Sequence, residues 1–208
     1  MSKKMLHART DAGLSEACPP DAQSVGVWQL LGHHVQPGDT LTSAYAWVIA
    51  KYCDPASTPF VPALGLDIFS FRSLLQTRFA HFTPPQRWLE AQANAATDNT
   101  HDEFPDLLQL FLDHAALADE HHRHVAHLIV SACMGSNHLW QDLGLPDRNA
   151  ICDLLATHFP ALAAKNTGNM KWKKFFYKQL CEREGINACK APSCAACNDY
   201  SKCFGSEE

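Results

Sequence analysis

Four cysteines crowd into fifteen residues: Cys189, Cys194, Cys197 and Cys203, spaced C-x4-C-x2-C-x5-C. Thiolates bind soft and borderline metals, and four this close in sequence can converge on one centre only if the backbone wraps around it. Ala191, Ser193, Ala195 and Ala196 are small enough to permit the wrap, and Pro192 stiffens it. Structural zinc sites commonly use two close ligand pairs separated by a longer arm, which is missing here. The opening C-x4-C-x2-C instead matches plant-type ferredoxins, although the fourth cysteine follows much sooner. Spacing therefore favours an iron–sulfur type of centre, with zinc as the alternative.

Other residues could add ligands. Cys181 precedes the motif on helical text and could exchange onto a cluster, or be an ordinary helix-surface thiol. His121 and His124, in the run Glu120-His121-His122-Arg123-His124, are three apart and so neighbours on a helix surface. They could bind a metal or an oxyanion; a partly buried histidine pair is the reading favoured by their place at the apolar stripe with Leu117, Val125 and Leu128. His138, just before Trp140-Gln141-Asp142, is balanced between a ligand role and a structural hydrogen bond. Lys171, Lys174 and Lys178 form a stripe that could attract an oxyanion, lower thiol pKa values or dock an acidic partner, or could simply be solvated.

The elements that must position these residues read as helices throughout, with no run of strand alternation. Apolar spacing predicts helices around Val25–Leu31, over 40–53, through Ile68 to Phe79, from Pro105, from about Leu117 to Met134, from an Asp147 N-cap, and over about 170–184 with Gly185 as the stop. Pro84-Pro85 could open a short helix across Trp88 and Leu89. On the last long helix Trp172, Phe175, Phe176 and Leu180 share a face, which makes them core. After Gly185 the periodicity ends and few large apolar groups remain, so a bound metal centre must order the tail. The expected architecture is all-α: a flexible arm over 1–21, a helical domain over 22–184, and a cysteine-rich, metal-ordered loop over 185–208.

Composition narrows the function. The 208 residues carry 46% hydrophobic and 19% charged side chains, enough for one packed domain. Residues 1–164 hold nine Lys/Arg against seventeen Asp/Glu, whereas 165–206 hold eight against three. Basic surroundings favour thiolates in the tail. The overall charge of −5 and the lack of a recognition motif argue against a nucleic-acid partner. With no apolar leader behind Met1-Ser2-Lys3-Lys4 and no apolar run long enough to span a membrane, a cytoplasmic protein is expected, where thiols stay reduced. No nucleophile–base pair or phosphate-binding glycine loop stands out, so a metallocluster carrier is expected rather than an enzyme. A helical interaction protein with a structural zinc knuckle and an iron–sulfur electron-transfer protein are the alternatives.

The longer text around the motif adds a resemblance. Met170-Lys171-Trp172-Lys173-Lys174-Phe175-Phe176-Tyr177, Leu180-Cys181 and the cysteine loop ending Cys203-Phe204-Gly205 closely resemble the NifQ family of nitrogen-fixation proteins. His138-Leu139-Trp140-Gln141-Asp142-Leu143-Gly144-Leu145 and the Asn166/Met170 register look like that family too, so the likeness spans about 117–205. The resemblance implies a molybdenum–iron–sulfur cluster on Cys189, Cys194, Cys197 and Cys203. It also implies a role in supplying molybdenum, taken up as molybdate, for the nitrogenase iron–molybdenum cofactor. The partners it implies are the cofactor-assembly scaffold and the nitrogenase iron protein.

Overall fold

The computed structural model describes residues 31–80, 82–95, 101–185, 200–205 and 207. All regular structure among them is helical, and none is strand. The arm over 1–21, most of the helix expected around Val25–Leu31, and Cys189, Cys194 and Cys197 lie outside the described residues.

Two helices form the centre. Helix α1 (Thr40–Tyr52) and, later in the chain, α5 (Glu120–Cys133) are buried around most of their circumference, as helices enclosed by neighbours are. Between them come α2 (Ile68–Arg78), α3 (Gln86–Ala95) and α4 (Phe104–Leu112). After α5 the chain makes α6 (Leu139–Asp142), α7 (Arg148–His158), α8 (Pro160–Ala163), α9 (Trp172–Arg183) and α10 (Tyr200–Phe204). Phe111 of α4 joins the layers, with its ring 4.9 Å from Phe159 and 4.8 Å from Phe176 of α9, both edge-on.

Aspartates start four of these helices. Asp39 accepts from Thr42 N–H at 2.9 Å, Asp67 from Phe69 and Ser70, Asp119 from His122, and Asp147 from Ala150. Each cap satisfies N–H groups that the helix itself leaves open, worth about 1 kcal/mol apiece. Asp119 also corrects the expected start of α5. The helix begins at Glu120, three residues later than the apolar spacing suggests, and Leu117 is 61% exposed rather than part of the stripe.

One turn between α1 and α2 is strained. The 3-10 turn Pro62–Gly65 holds Ala63 and Leu64 at φ of 50° and 56°, in the left-handed region that side chains disfavour. Its polar groups are pinned from three sides. Gln92 accepts from Ala63 N–H at 2.8 Å and donates to Cys53 O at 2.6 Å, the Cys53 thiol donates to Val61 O, and His127 donates to Leu64 O at 2.9 Å.

The tail holds a helix that periodicity does not announce. Helix α10 is five residues long, and its Phe204 and Cys203 pack against the main core. Residues 200–204 are therefore helical where a loop was expected. Tyr200 and Phe204 stack at 4.5 Å, and Phe204 approaches Gly168 closely on the loop before α9.

Candidate metal centre

The site is built outward from one buried carboxylate. Asp142, at the end of α6, is fully buried. Its Oδ1 accepts from Lys51 Nζ and Tyr52 OH of α1, each at 2.7 Å, and from Asn137 Nδ2 at 3.1 Å. Its Oδ2 accepts from Asn137 N–H at 3.0 Å and from Lys173 Nζ of α9. Burial alone would raise the Asp142 pKa, but the Lys173 charge and the hydrogen bonds outweigh it and hold the carboxyl below its ordinary value. Tyr52 is pushed the other way, up, by burial and by the neighbouring carboxylate.

This hub fixes where α9 begins. Lys173 also donates to Gly135 O at 2.7 Å, so the first turn of α9 is tied to the α5–α6 junction. Gly135 has to be glycine there, since a Cβ would lie 2.1 Å from Tyr52 OH and 2.5 Å from Asp142 Oδ2. Two residues before Lys173, Lys171 N–H donates to Cys203 O at 2.7 Å. The last cysteine of the motif is thus moored, through α9, to the buried hub. Its residue is half-buried and its thiol is in no disulfide.

A second set of contacts holds the same corner. Arg148, on the first turn of α7, donates to Asn169 O, Asn169 Oδ1 and Met170 O at 3.2, 2.9 and 2.8 Å, and its Nη1 reaches Glu207 Oε1. The Asn166 amide clasps Met170 with two bonds of 2.8 Å, giving a physical reason for that sequence register. His138 caps α6, its N–H donating to Gln141 Oε1 at 3.1 Å, and its Nδ1 lies 3.8 Å from Glu207 Oε1. Lys171, Lys174 and Lys202 line a cavity of about 510 Å³ together with His138, Trp172 and Glu207. The structure therefore brings His138, the α9 lysines and the Cys203 backbone to one corner. Lys178 lies further along, 3.4 Å from Glu182, beside a separate cavity. Cys181 is half-buried near the end of α9.

The α5 histidines form a different arrangement from the expected pair. His121 does not team with His124; its ring packs edge-on with His122 and His158, the three centroids 5.1 to 5.3 Å apart. Arg78 donates to His121 Nδ1 at 2.6 Å, and because a guanidinium only donates, the neutral ring carries its proton on Nε2. That tautomer leaves no lone pair for a metal while Arg78 is in place. His122 Nδ1 is 2.6 Å from Asp119 Oδ1. Burial, then the neighbouring rings, pushes His158 down to about 4. His124 is buried with Nε2 3.6 Å from Glu120 Oε1, and burial lowers its pKa. Among the described residues no group of three or more His, Cys, Asp or Glu is arranged to hold a metal ion.

Cys53 and Cys133 are core thiols, pushed up to about 12 by burial and so unsuited to metal binding as thiolates. Among the described cysteines, Cys203 is half-buried on α10, with its carbonyl held by Lys171 N–H. Sequence reasoning missed Lys51, Tyr52, Lys173, Arg148 and Glu207. The signal available for Lys173 was its unlikely place, a cation on the first turn of an apolar-faced helix with no acid beside it.

Comparison with known proteins settles the family. The NifQ family profile matches residues 44–205, most of the chain. The chain belongs to the NifQ family. It is 39% identical to Protein NifQ of Azotobacter vinelandii over 152 residues, a stretch covering 69% of this chain and 78% of that protein. It is 50% identical to the Protein NifQ homolog of Sinorhizobium fredii over 99 residues, 48% of this chain and 43% of the relative. A third NifQ family member, Protein NifQ of Rhodobacter capsulatus, is 41% identical over 95 residues, 46% of this chain and 53% of its own length. No solved structure matches. Among the described residues no helix is long and apolar enough to cross a membrane.

Proposed function

We propose that this protein carries a molybdenum–iron–sulfur cluster on Cys189, Cys194, Cys197 and Cys203 and supplies its molybdenum to nitrogenase iron–molybdenum cofactor assembly. Membership of the NifQ family supports the role in nitrogen fixation. The single observation that carries the metal reading is the mooring of Cys203. Its carbonyl accepts from the N–H of Lys171, a residue that lines a lysine-rich cavity, so the closing residue of a four-thiolate motif is held against the start of α9.

The chain's own residues would do three things. Lys51, Tyr52, Asn137 and Lys173 hold Asp142 and with it the start of α9, which keeps the anchor for Cys203 in place. The lysines balance the negative charge that four thiolates and sulfide bring. The short α10 presents Cys203 on a small docked element rather than in a rigid core, which suits a centre that must give up its metal. Molybdenum enters as a hard oxyanion and leaves in a sulfur environment, a change that thiolate and sulfide ligands supply. The protein is a carrier in this reading, working with the cofactor-assembly scaffold and the nitrogenase iron protein in the cytoplasm.

The test is delivery. Anaerobically loaded protein is supplied as the sole molybdenum source to a reconstituted cofactor synthesis containing scaffold and iron protein, and activation of cofactor-free nitrogenase is measured. Activation that falls at least tenfold with Cys203→Ala supports the reading. Activation no better than buffer contradicts it.

A further inference from the structure

Away from the cysteine motif, the corner where α2, α5 and α7 meet depends on one ring staying neutral. Arg78, on the last turn of α2, places Nη2 2.6 Å from Nδ1 of His121, on the first turn of α5. A guanidinium has only donors, and so does an imidazolium. The bond therefore exists only while His121 is neutral, with a lone pair on Nδ1. Add a proton there and two donors face each other, both carrying positive charge.

The surroundings favour the neutral ring. The first turn of α5 is the positive end of a helix, a poor place for a second cation. His121 packs edge-on against His122 of its own helix and His158 on the last turn of α7, at 5.3 and 5.1 Å. Burial, then the Arg78 charge, then His122 lower its pKa from the ordinary 6.5, with Asp119 opposing them. Asp119 is itself engaged by His122, through the N–H at 2.8 Å and Nδ1 at 2.6 Å. One turn along α5, His124 faces Glu120 at 3.6 Å and feels the Arg123, Arg78 and His121 charges. A depressed folded pKa means that the contact is fully present above about 6.5 and is lost as pH falls through the lower folded value. Arg78 has a second resting place. Its guanidinium lies 5.3 Å from the centre of the Tyr45 ring on α1, and its charge reaches Asp39 at the start of that helix. Phe71, Leu74, Leu75 and Phe79 are buried and keep α2 docked whichever way Arg78 turns.

We propose that the Arg78–His121 bond is a proton-operated clasp: the neutral ring ties the last turn of α2 to the first turn of α5, and protonation of the ring releases that tie while the core packing of both helices stays in place. Arg78 then remains with Tyr45 on α1, and the end of α2 is free to fray. The clasp makes a local contact conditional on protons, which distinguishes it from acid loss of the whole fold.

The experiment is amide hydrogen exchange on the full chain at pH 7 and pH 5, corrected for the intrinsic pH dependence of exchange and read segment by segment. The lower pH stays above the values of His127 and His158, each about 4, so their protonation does not dominate the result. Protection over residues 75–79, which includes the Phe79 N–H bonded to Leu75 O, should fall several-fold at pH 5, while residues 44–52 of α1 keep theirs. His121→Asn retains an acceptor in place of Nδ1 and takes up no proton, so its protection over 75–79 should be the same at both pH values. Arg78→Ala lacks the clasp throughout, so protection there should be low at pH 7 and fall no further. In that variant the His121 ring, followed by NMR, should titrate closer to 6.5. Protection over 75–79 that does not change with pH in the wild type would overturn the clasp. So would an equal fall across α1, or the same fall in His121→Asn as in the wild type.

Discussion

Asp142 and Glu207 are both carboxylates surrounded by cations, and they are arranged in opposite ways. Asp142 has two lysines, a tyrosine hydroxyl and both donors of Asn137 on its two oxygens, with no exposure to solvent. Glu207 shares one oxygen between Arg148 and a distant His138 and lines an open cavity. The first is a closed network in which both carboxylate oxygens are fully hydrogen-bonded, as a buried charge requires. One carboxylate is sealed inside the fold, and the other opens onto a cavity.

The comparison breaks most visibly at Asp142. Asp142→Asn leaves Lys51 and Lys173 buried against a neutral group, and the cost should be about 3–5 kcal/mol, as for other broken buried pairs. Urea denaturation monitored by circular dichroism checks it. A loss under about 1 kcal/mol would show the hub to be no anchor.

Acid should weaken the helical body. His127 is 2% exposed and donates to the strained turn at Leu64, and burial, the largest cause, holds its pKa at about 4. In the unfolded chain it titrates near the ordinary 6.5. Its folded pKa is depressed, so the native state binds fewer protons between those values. Stability is then fully present above about 6.5 and is lost as pH falls towards 4. The loss reaches on the order of 3 kcal/mol from this residue. His158 shifts the same way, screened by its greater exposure. Thermal midpoints at pH 7 and pH 4.5 should differ, with His127→Gln removing part of the difference.

Gly135→Ala tests the close approach at the hub. The added methyl meets Tyr52 OH and Asp142, and forcing them apart should cost about 1–3 kcal/mol in the same denaturation assay. The smallest effect belongs to Glu207→Gln. Arg148 keeps its contacts to Asn169 and Met170, so stability should change by less than about 1 kcal/mol.

The helices were largely readable, and the failures have physical causes. Asp39, Asp67 and Asp147 mark helix starts that local chemistry alone dictates. Leu117 misled because it keeps the apolar period of α5 while the Asp119 cap, not hydrophobicity, decides where that helix begins. Helix α10 has too few residues to show a period and draws its stability from docking Phe204 and the Lys171–Cys203 bond, which are tertiary facts. The left-handed turn at Ala63 and Leu64 is invisible in residue types that normally avoid it. Of the site, Cys203 and His138 were legible from type and spacing. The partners that position them were not, since Lys173 is 31 residues from Asp142 and Glu207 is 59 from Arg148.

The central claim is a molybdenum- and iron-bearing centre on the cysteine motif, and elemental analysis tests it most directly. Protein purified without oxygen from molybdate-supplied cells is assayed for molybdenum, iron and zinc, beside the Cys194→Ala, Cys197→Ala chain. Molybdenum and iron together in the wild type, both lost in the variant, is the predicted result. Zinc alone, near one per chain, would contradict it and leave a structural knuckle on a helical binding protein.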